Sequence, residues 1–203
     1  MTLREYIDRL RGRTVAVIGI GVSNTPLLRL LLREGISVTA CDRSSREKLG
    51  ALAGELEAAG AKLQLGDGYL QNLSQDVIFR TPGLRPDVPE LEAARAKGST
   101  ITSEMEVFFE VCPCPIIAVT GSDGKTTTTT IIAQLLRAAG HTVHVGGNIG
   151  HPLLAEADTI RPTDWAVLEL SSFQLMTMTH SPHIAVVTNL APKIGRASCR
   201  ERV

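Results

Sequence analysis

Residues 116–127 read Ile116-Ile117-Ala118-Val119-Thr120-Gly121-Ser122-Asp123-Gly124-Lys125-Thr126-Thr127. A short apolar run leads into a glycine-bounded turn, and a segment with apolar residues at helical spacing follows, so strand, loop and helix succeed one another. The glycines let backbone N–H groups curl around phosphate oxygens, the helix start adds the positive end of its dipole, and a lysine here reaches terminal phosphates. The Thr126 hydroxyl suits a magnesium ion. The general phosphate-loop pattern wants a glycine where this chain has Val119, so the loop is the shorter Gly-x-x-Gly-Lys-Thr form. As a plain strand-to-helix turn, the segment would have no use for Lys125 and Thr126.

Outward from this loop, apolar runs bounded by glycine or proline alternate with amphipathic stretches, the pattern of an α/β protein with parallel strands. On the N-terminal side the pattern predicts strands at 13–19, 36–41, 62–65, 76–79 and 100–101, and helices at 24–33, 46–59, 89–97 and 104–111. Such strands make a parallel sheet of about five. Cys112-Pro113-Cys114-Pro115 restricts the backbone twice and suits a link. Beyond it the pattern predicts strands at 116–120, 142–145, 165–170 and 183–188 and a helix at 124–139. Two α/β units therefore sit in series, 1–112 and 113–193, and the second shows no visible end.

The 203 residues are 43% hydrophobic and 21% charged, enough for one good core or two small ones. Basic and acidic residues balance at 21 each, which argues against nucleic acid as a partner and for small molecules. No apolar run approaches a membrane span and the first residues lack a signal-peptide core, so the expected location is cytoplasmic, with no membrane partner. The four cysteines fit that compartment. Cys112-Pro113-Cys114 lacks the two-residue gap of redox and zinc pairs, and all four read as structural or incidental.

Two further stretches carry chemistry: Gly146-Gly147-Asn148-Ile149-Gly150-His151-Pro152 and Leu168-Glu169-Leu170-Ser171-Ser172-Phe173-Gln174-Leu175. Glu169 ends an apolar strand, where an unpaired carboxylate is costly and a metal compensates it; a cap or a salt bridge is the alternative. With the phosphate loop, these stretches resemble, in the same order, the motifs of the Mur ligase and folylpolyglutamate synthase superfamily. Glu-Leu-Ser-Ser-Phe-Gln-Leu resembles its D-glutamate-adding branch, and the resemblance covers residues 1–193.

The resemblance implies a Rossmann-like unit that binds the UDP part of a substrate, followed by an ATP-binding central unit. It implies ATP on Gly121, Ser122, Asp123, Gly124, Lys125, Thr126 and Thr127, and magnesium on Thr126 and Glu169. Lys125 and Glu169 become the catalytic residues, neutralising charge on a transferring phosphoryl group. The implied reaction phosphorylates the terminal carboxylate of UDP-N-acetylmuramoyl-L-alanine to an acyl phosphate, which the amine of D-glutamate attacks, in peptidoglycan synthesis by a monomeric full-length enzyme. Asn148, Ser171, Ser172 and Gln174 then line the substrate cleft, or serve only as turn and cap residues. His151, His180 and His183 fit no metal spacing and read as structural.

In the first unit Gly19-Ile20-Gly21 follows a strand and opens a helix, but Asn24 stands where a dinucleotide fingerprint has its third glycine. The two glycines serve a tight turn or a ligand. By resemblance, UDP falls to Val22, Ser23, Asp42, Arg43, Thr81, Pro82 and Gly83. A nicotinamide-dependent dehydrogenase is the rival from another class, and it leaves the phosphate loop without a role. A generic phosphate-loop NTPase needs the longer loop, and a sister ligase is opposed by Glu-Leu-Ser-Ser-Phe-Gln-Leu and by a Rossmann-like unit so close to the N-terminus.

The last ten residues, Ile194 to Val203, read IGRASCRERV, which one frame of a common sequencing-library adapter encodes. Removing their three arginines and one glutamate leaves a mildly acidic chain. The resemblance expects Asn-His-Leu-Asp after Pro192, where the chain reads Lys193-Ile194-Gly195-Arg196. On this reading a read end cut the sequence at Lys193, and the chain as written lacks the D-glutamate domain and ligase activity.

Overall fold

The computed structural model describes residues 1–191, so Pro192, Lys193 and the IGRASCRERV segment lie outside the described residues. Among those described, nine strands form two sheets, and every pairing within them is parallel. The first sheet holds β1 (Thr14–Ile18), β2 (Ser37–Asp42), β3 (Lys62–Leu65), β4 (Val77–Phe79) and β5 (Thr100–Thr102), in the order β3-β2-β1-β4-β5. The second holds β6 (Ile116–Thr120), β7 (Val143–Gly147), β8 (Trp165–Glu169) and β9 (Ile184–Val187), in the order β7-β8-β6-β9. The central strands are apolar on both faces because helices cover them: Val15, Ala16, Val17 and Ile18 of β1 are fully buried, as are Ala166, Val167 and Leu168 of β8.

Eight α-helices complete the described chain: α1 (Leu3–Leu10), α2 (Thr25–Arg33), α3 (Arg46–Leu49), α4 (Ala51–Ala58), α5 (Pro89–Ala96), α6 (Glu104–Val111), α7 (Lys125–Ala138) and α8 (Ser172–Leu175). None is long and apolar enough to cross a membrane. The helix expected over 46–59 is two, because Gly50 takes φ +56° and breaks it. α1 has no counterpart in the sequence reading. Thr2 caps it in a capping box with Glu5, and Leu3, Ile7 and Leu10 turn inward.

Parallel connection places the useful ends together. In the first sheet the order reverses between β1 and β4, so the turn at Gly19 and the segment Thr81-Pro82-Gly83 meet where ligands of such sheets bind. In the second sheet β8 is inserted beside β6 and pairs Val119 with Glu169. The end of β8 thereby abuts the phosphate loop.

The two sheets share a core. Leu153, Leu154, Ala157 and Ile160, in and around the 3₁₀ turn Leu154–Thr159, pack in one cluster with residues of α1, α2 and α6. Two polar contacts cross the same junction. Arg80, 1% exposed at the end of β4, donates to the Phe173 carbonyl at 3.2 Å and to Thr177 Oγ1 at 2.6 Å. Glu104, first residue of α6, accepts from the Leu154 amide at 2.9 Å, and burial pushes its carboxyl up to about 7.

The folded chain thus binds the Glu104 proton more readily than the unfolded chain, so this residue's contribution to stability declines as pH rises from the ordinary glutamate value to about 7. Glu104→Gln keeps an acceptor for Leu154 and removes that titration. Urea unfolding should show the variant gaining about 1–3 kcal/mol on the native chain between about pH 5 and about pH 8. Parallel stability curves for the two proteins would refute this origin.

Candidate active site

The phosphate loop leaves β6 at Thr120 and enters α7 at Lys125. Gly121 takes φ +135° and Gly124 φ +78°, and a Cβ on Gly121 would stand 2.2 Å from Thr188 Oγ1, so glycine is required on both grounds. The segment after β9 buttresses the loop. Asn189 accepts from the Ser122 amide through its carbonyl at 3.0 Å and from the Asp123 amide through Oδ1 at 2.9 Å. Thr188 Oγ1 donates to the Asp123 carbonyl at 2.6 Å. Among the described residues no side chain caps α7, so the N–H groups of its first turn, which have no partner within a helix, point out at Gly124, Lys125 and Thr126. Lys125 Nζ folds back onto the carbonyls of Gly121 (2.8 Å) and Ser122 (3.3 Å), poised over the same concavity.

Glu169 closes the site from β8. Its side chain is buried, the residue being 2% exposed, and both oxygens are engaged: Oε2 accepts from Thr126 Oγ1 at 2.7 Å and Oε1 from Asn148 Nδ2 at 3.0 Å. Asn148 is held there by its own amide, which donates to the Glu169 carbonyl at 2.8 Å. The glycines before it make this approach possible. At Gly147, φ +93°, a Cβ would lie 2.1 Å from the Glu169 carbonyl oxygen. The sequence-predicted Thr126, Asn148 and Glu169, drawn from three separate stretches, therefore meet, while Lys125, next to Thr126 in the chain, turns its Nζ onto the loop carbonyls. Thr127 lies exposed one residue further along α7.

The donor set fits a magnesium ion. The Glu169 carboxylate and the Thr126 hydroxyl are hard oxygen donors, magnesium takes few protein ligands beside phosphates and water, and the amides of the helix start would suit such phosphates. Among the described residues no group of three or more His, Cys, Asp or Glu could hold a metal ion. The histidines are engaged otherwise: His183 Nδ1 accepts from the Ile116 amide, and His151 meets Glu156.

Ser171 and Gln174 form a capping box on α8, with the Ser171 amide donating to Gln174 Oε1 at 2.8 Å. Gln174 also lines a cleft between the sheets with Ser23, Pro82, Glu104, Gly147 and Asn148, while Ser172 is exposed. In the first sheet a cavity of about 340 Å³ is bounded by Gly19, Gly21, Val22, Ser23, Asp42 and Thr81. Asp42 is partly spent on backbone, accepting from the Ile20 amide at 2.5 Å and the Ser44 amide at 2.7 Å. Val22 is 82% exposed, Pro82 lines the cleft between the sheets, and Arg43 and Gly83 are exposed and outside both linings. Asn24, in the place of the third glycine, is buried and donates to the Ile18 carbonyl at 2.9 Å, which ties the helix start to β1. Sequence reasoning missed Glu104 and Arg80 as residues of this junction, for neither stands in a motif.

A Rossmann-like parallel sheet followed by a phosphate-loop sheet with a buried carboxylate beside the loop defines a class, the nucleotide-dependent α/β enzymes. Comparison narrows it. Residues 119–193 match the Mur ligase middle domain. The chain is 52% identical over 191 residues to the UDP-N-acetylmuramoylalanine--D-glutamate ligase of Acetivibrio thermocellus, covering 94% of this chain and 41% of that protein. It is 50% identical over 192 residues to the protein of the same name from Clostridium novyi, covering 94% and 42%. The UDP-N-acetylmuramate:L-alanyl-gamma-D-glutamyl-meso-diaminopimelate ligase from Neisseria meningitides, 21% identical, shares the fold with a TM-score of 0.50 over 88% of this chain and 61% of that one. Residues 119–193 thus carry a Mur ligase middle domain, and the chain spans about two-fifths of the length of the curated relatives it matches.

Gly147→Ala forces a left-handed φ on a residue with a Cβ and drives that Cβ into β8. It should lower the stability of the chain by about 2–4 kcal/mol in urea unfolding. A loss within error would mean that the contact between Gly147 and Glu169 is not tight.

Proposed function

We propose that the sequence is the front part of an ATP-dependent ligase that joins D-glutamate to UDP-N-acetylmuramoyl-L-alanine in peptidoglycan synthesis. One observation carries the reading: Thr126, Asn148 and Glu169 converge beside a helix start that Lys125 opens, in a chain half identical to proteins bearing that name. Residues 1–112 act as the UDP-substrate unit, with Val22, Ser23, Asp42, Arg43, Thr81, Pro82 and Gly83 around the cavity at β1. Residues 113–193 act as the ATP unit, and the complete enzyme works as a cytoplasmic monomer.

The chemistry follows from charge. A carboxylate is a poor electrophile, and phosphorylation by ATP converts it to an acyl phosphate that an amine can attack. The amides at the start of α7 bind phosphate oxygens, and Lys125 leaves its two carbonyl partners to meet the charge that develops on the transferring group. Magnesium, when bound by Thr126 and Glu169, neutralises phosphate charge at the same place. Asn148 orients Glu169 through its hydrogen bond to Oε1. Asn148, Ser171, Ser172 and Gln174 border the path by which the substrate carboxylate reaches the loop.

The test uses the gene read to its full length. Phosphate release from ATP in the presence of UDP-N-acetylmuramoyl-L-alanine should require D-glutamate. A requirement for another amino acid would move the protein to a sister enzyme, and no release with any would return the loop to a generic NTPase. In that assay Lys125→Ala should lower kcat by about a hundredfold or more without loss of fold. A near-native kcat would remove Lys125 from the catalytic set.

A further inference from the structure

Away from the nucleotide site, the segment joining α6 to β6 brings two sulfurs together. Cys112 ends α6 with φ −64° and ψ 120°, the chain bends at Cys114, and the Sγ atoms approach to 3.6 Å. One intervening residue is fewer than redox pairs commonly have, and it is the bend after Pro113, not the spacing, that makes the approach.

The two thiols are not equivalent. Cys112 is half-buried, whereas Cys114 is 2% exposed in the core shared by both sheets. The hydrogen bond between the two sulfurs holds Cys112 below the ordinary thiol range and, with burial, drives Cys114 well above it. Asp164 adds to the Cys114 shift by repulsion. A half-buried sulfur thus stands 3.6 Å from a fully buried one behind it, the layout of an attacking and a resolving thiol. Cys41 is the contrast: it is buried, has no sulfur neighbour among the described residues, and is pushed up to about 12 by burial.

We propose that Cys112 and Cys114 form a modification site for peroxides, a dithiol that closes to an intramolecular disulfide. The Cys112 thiolate attacks one peroxide oxygen, the O–O bond breaks, and the departing oxygen takes up a proton. Cys112 is then a sulfenic acid. Cys114, no longer sharing its proton with a thiolate, attacks Cys112 Sγ. The S–S bond forms, the S–O bond breaks, and the hydroxyl leaves as water with the Cys114 proton. Two thiols and one hydrogen peroxide give one disulfide and two waters. The sulfurs must close from 3.6 Å to about 2.05 Å, and Cys112, lying just past the last residue of α6, is the one placed to move. The bond would draw in the connection between the sheets, immediately before Ile116, whose amide is anchored on His183.

The experiment uses the folded 203-residue chain carrying Cys199→Ser, reduced, freed of reductant and exposed to about one equivalent of hydrogen peroxide. Trypsin releases Gly98–Lys125, which holds both cysteines. The expected result is that this peptide loses two hydrogens in mass and regains them with dithiothreitol. Cys114→Ser should stop at a sulfenic acid on Cys112 that dimedone traps, and Cys112→Ser should slow peroxide consumption by about tenfold. Alkylation of both thiols after peroxide, irreversible oxygen addition at Cys112 with no disulfide, or pairing with Cys41 would each overturn the proposal. The mass measurement on the otherwise unaltered chain needs neither serine variant at the pair to fold.

Discussion

A carboxylate buried at the end of a parallel strand is the constraint around which the second sheet is arranged. Left without partners, Glu169 would carry a penalty of several kcal/mol, large beside the net stability of a domain. The chain meets it from two directions, with Thr126 at the start of α7 on one oxygen and Asn148 after β7 on the other. Each partner requires a neighbour. Thr126 reaches Glu169 because the loop turns tightly at Gly121 and Gly124, and Asn148 does so because Gly147 lets the backbone pass against β8. The strand order β7-β8-β6 then follows as a requirement, since only a β8 inserted between the other two can be reached from both.

On the proposed reading, the same arrangement suits the site to phosphoryl transfer. Among the described residues the helix start has no side-chain cap, Lys125 Nζ rests on carbonyls of its own loop, and Glu169 is held by a hydroxyl and an amide, partners that a nucleotide and its metal would displace. Such a site would be preorganised for negative charge that arrives with a ligand. The first sheet contributes position. Its switch-point cavity and the cleft that includes Gln174 and Asn148 lie on a shared core fixed by Arg80 and Glu104, so a substrate held at β1 can be aimed at the loop.

What the sequence disclosed was local. Gly121 to Thr127 is legible because a glycine turn, a lysine and a threonine in succession have one economical physical use, and β1 and β4 are legible because doubly buried strands read as continuous apolar runs. The capping boxes at Thr2 with Glu5 and at Ser171 with Gln174 were available signals for α1 and α8, and α1 could have been found from the first. Gly50 could have warned that the helix over 46–59 breaks. Other contacts had no sequence signal. Glu104 meets Leu154 fifty residues on, and Arg80 meets Phe173 and Thr177 across more than ninety, so nothing local marks them. Cys112 and Cys114 were read by spacing alone, and the backbone bend that joins them is a tertiary fact.

The most direct measurement is a crystal structure of the full-length gene product with magnesium and a non-hydrolysable ATP analogue. The account predicts the terminal phosphates on the amides of Gly124, Lys125 and Thr126, with Lys125 Nζ moved off the Gly121 carbonyl. It also predicts a metal about 2.1 Å from Thr126 Oγ1, with Glu169 as its protein carboxylate. A nucleotide seated at the β1 cavity, or a metal held without Thr126 and Glu169, would contradict it.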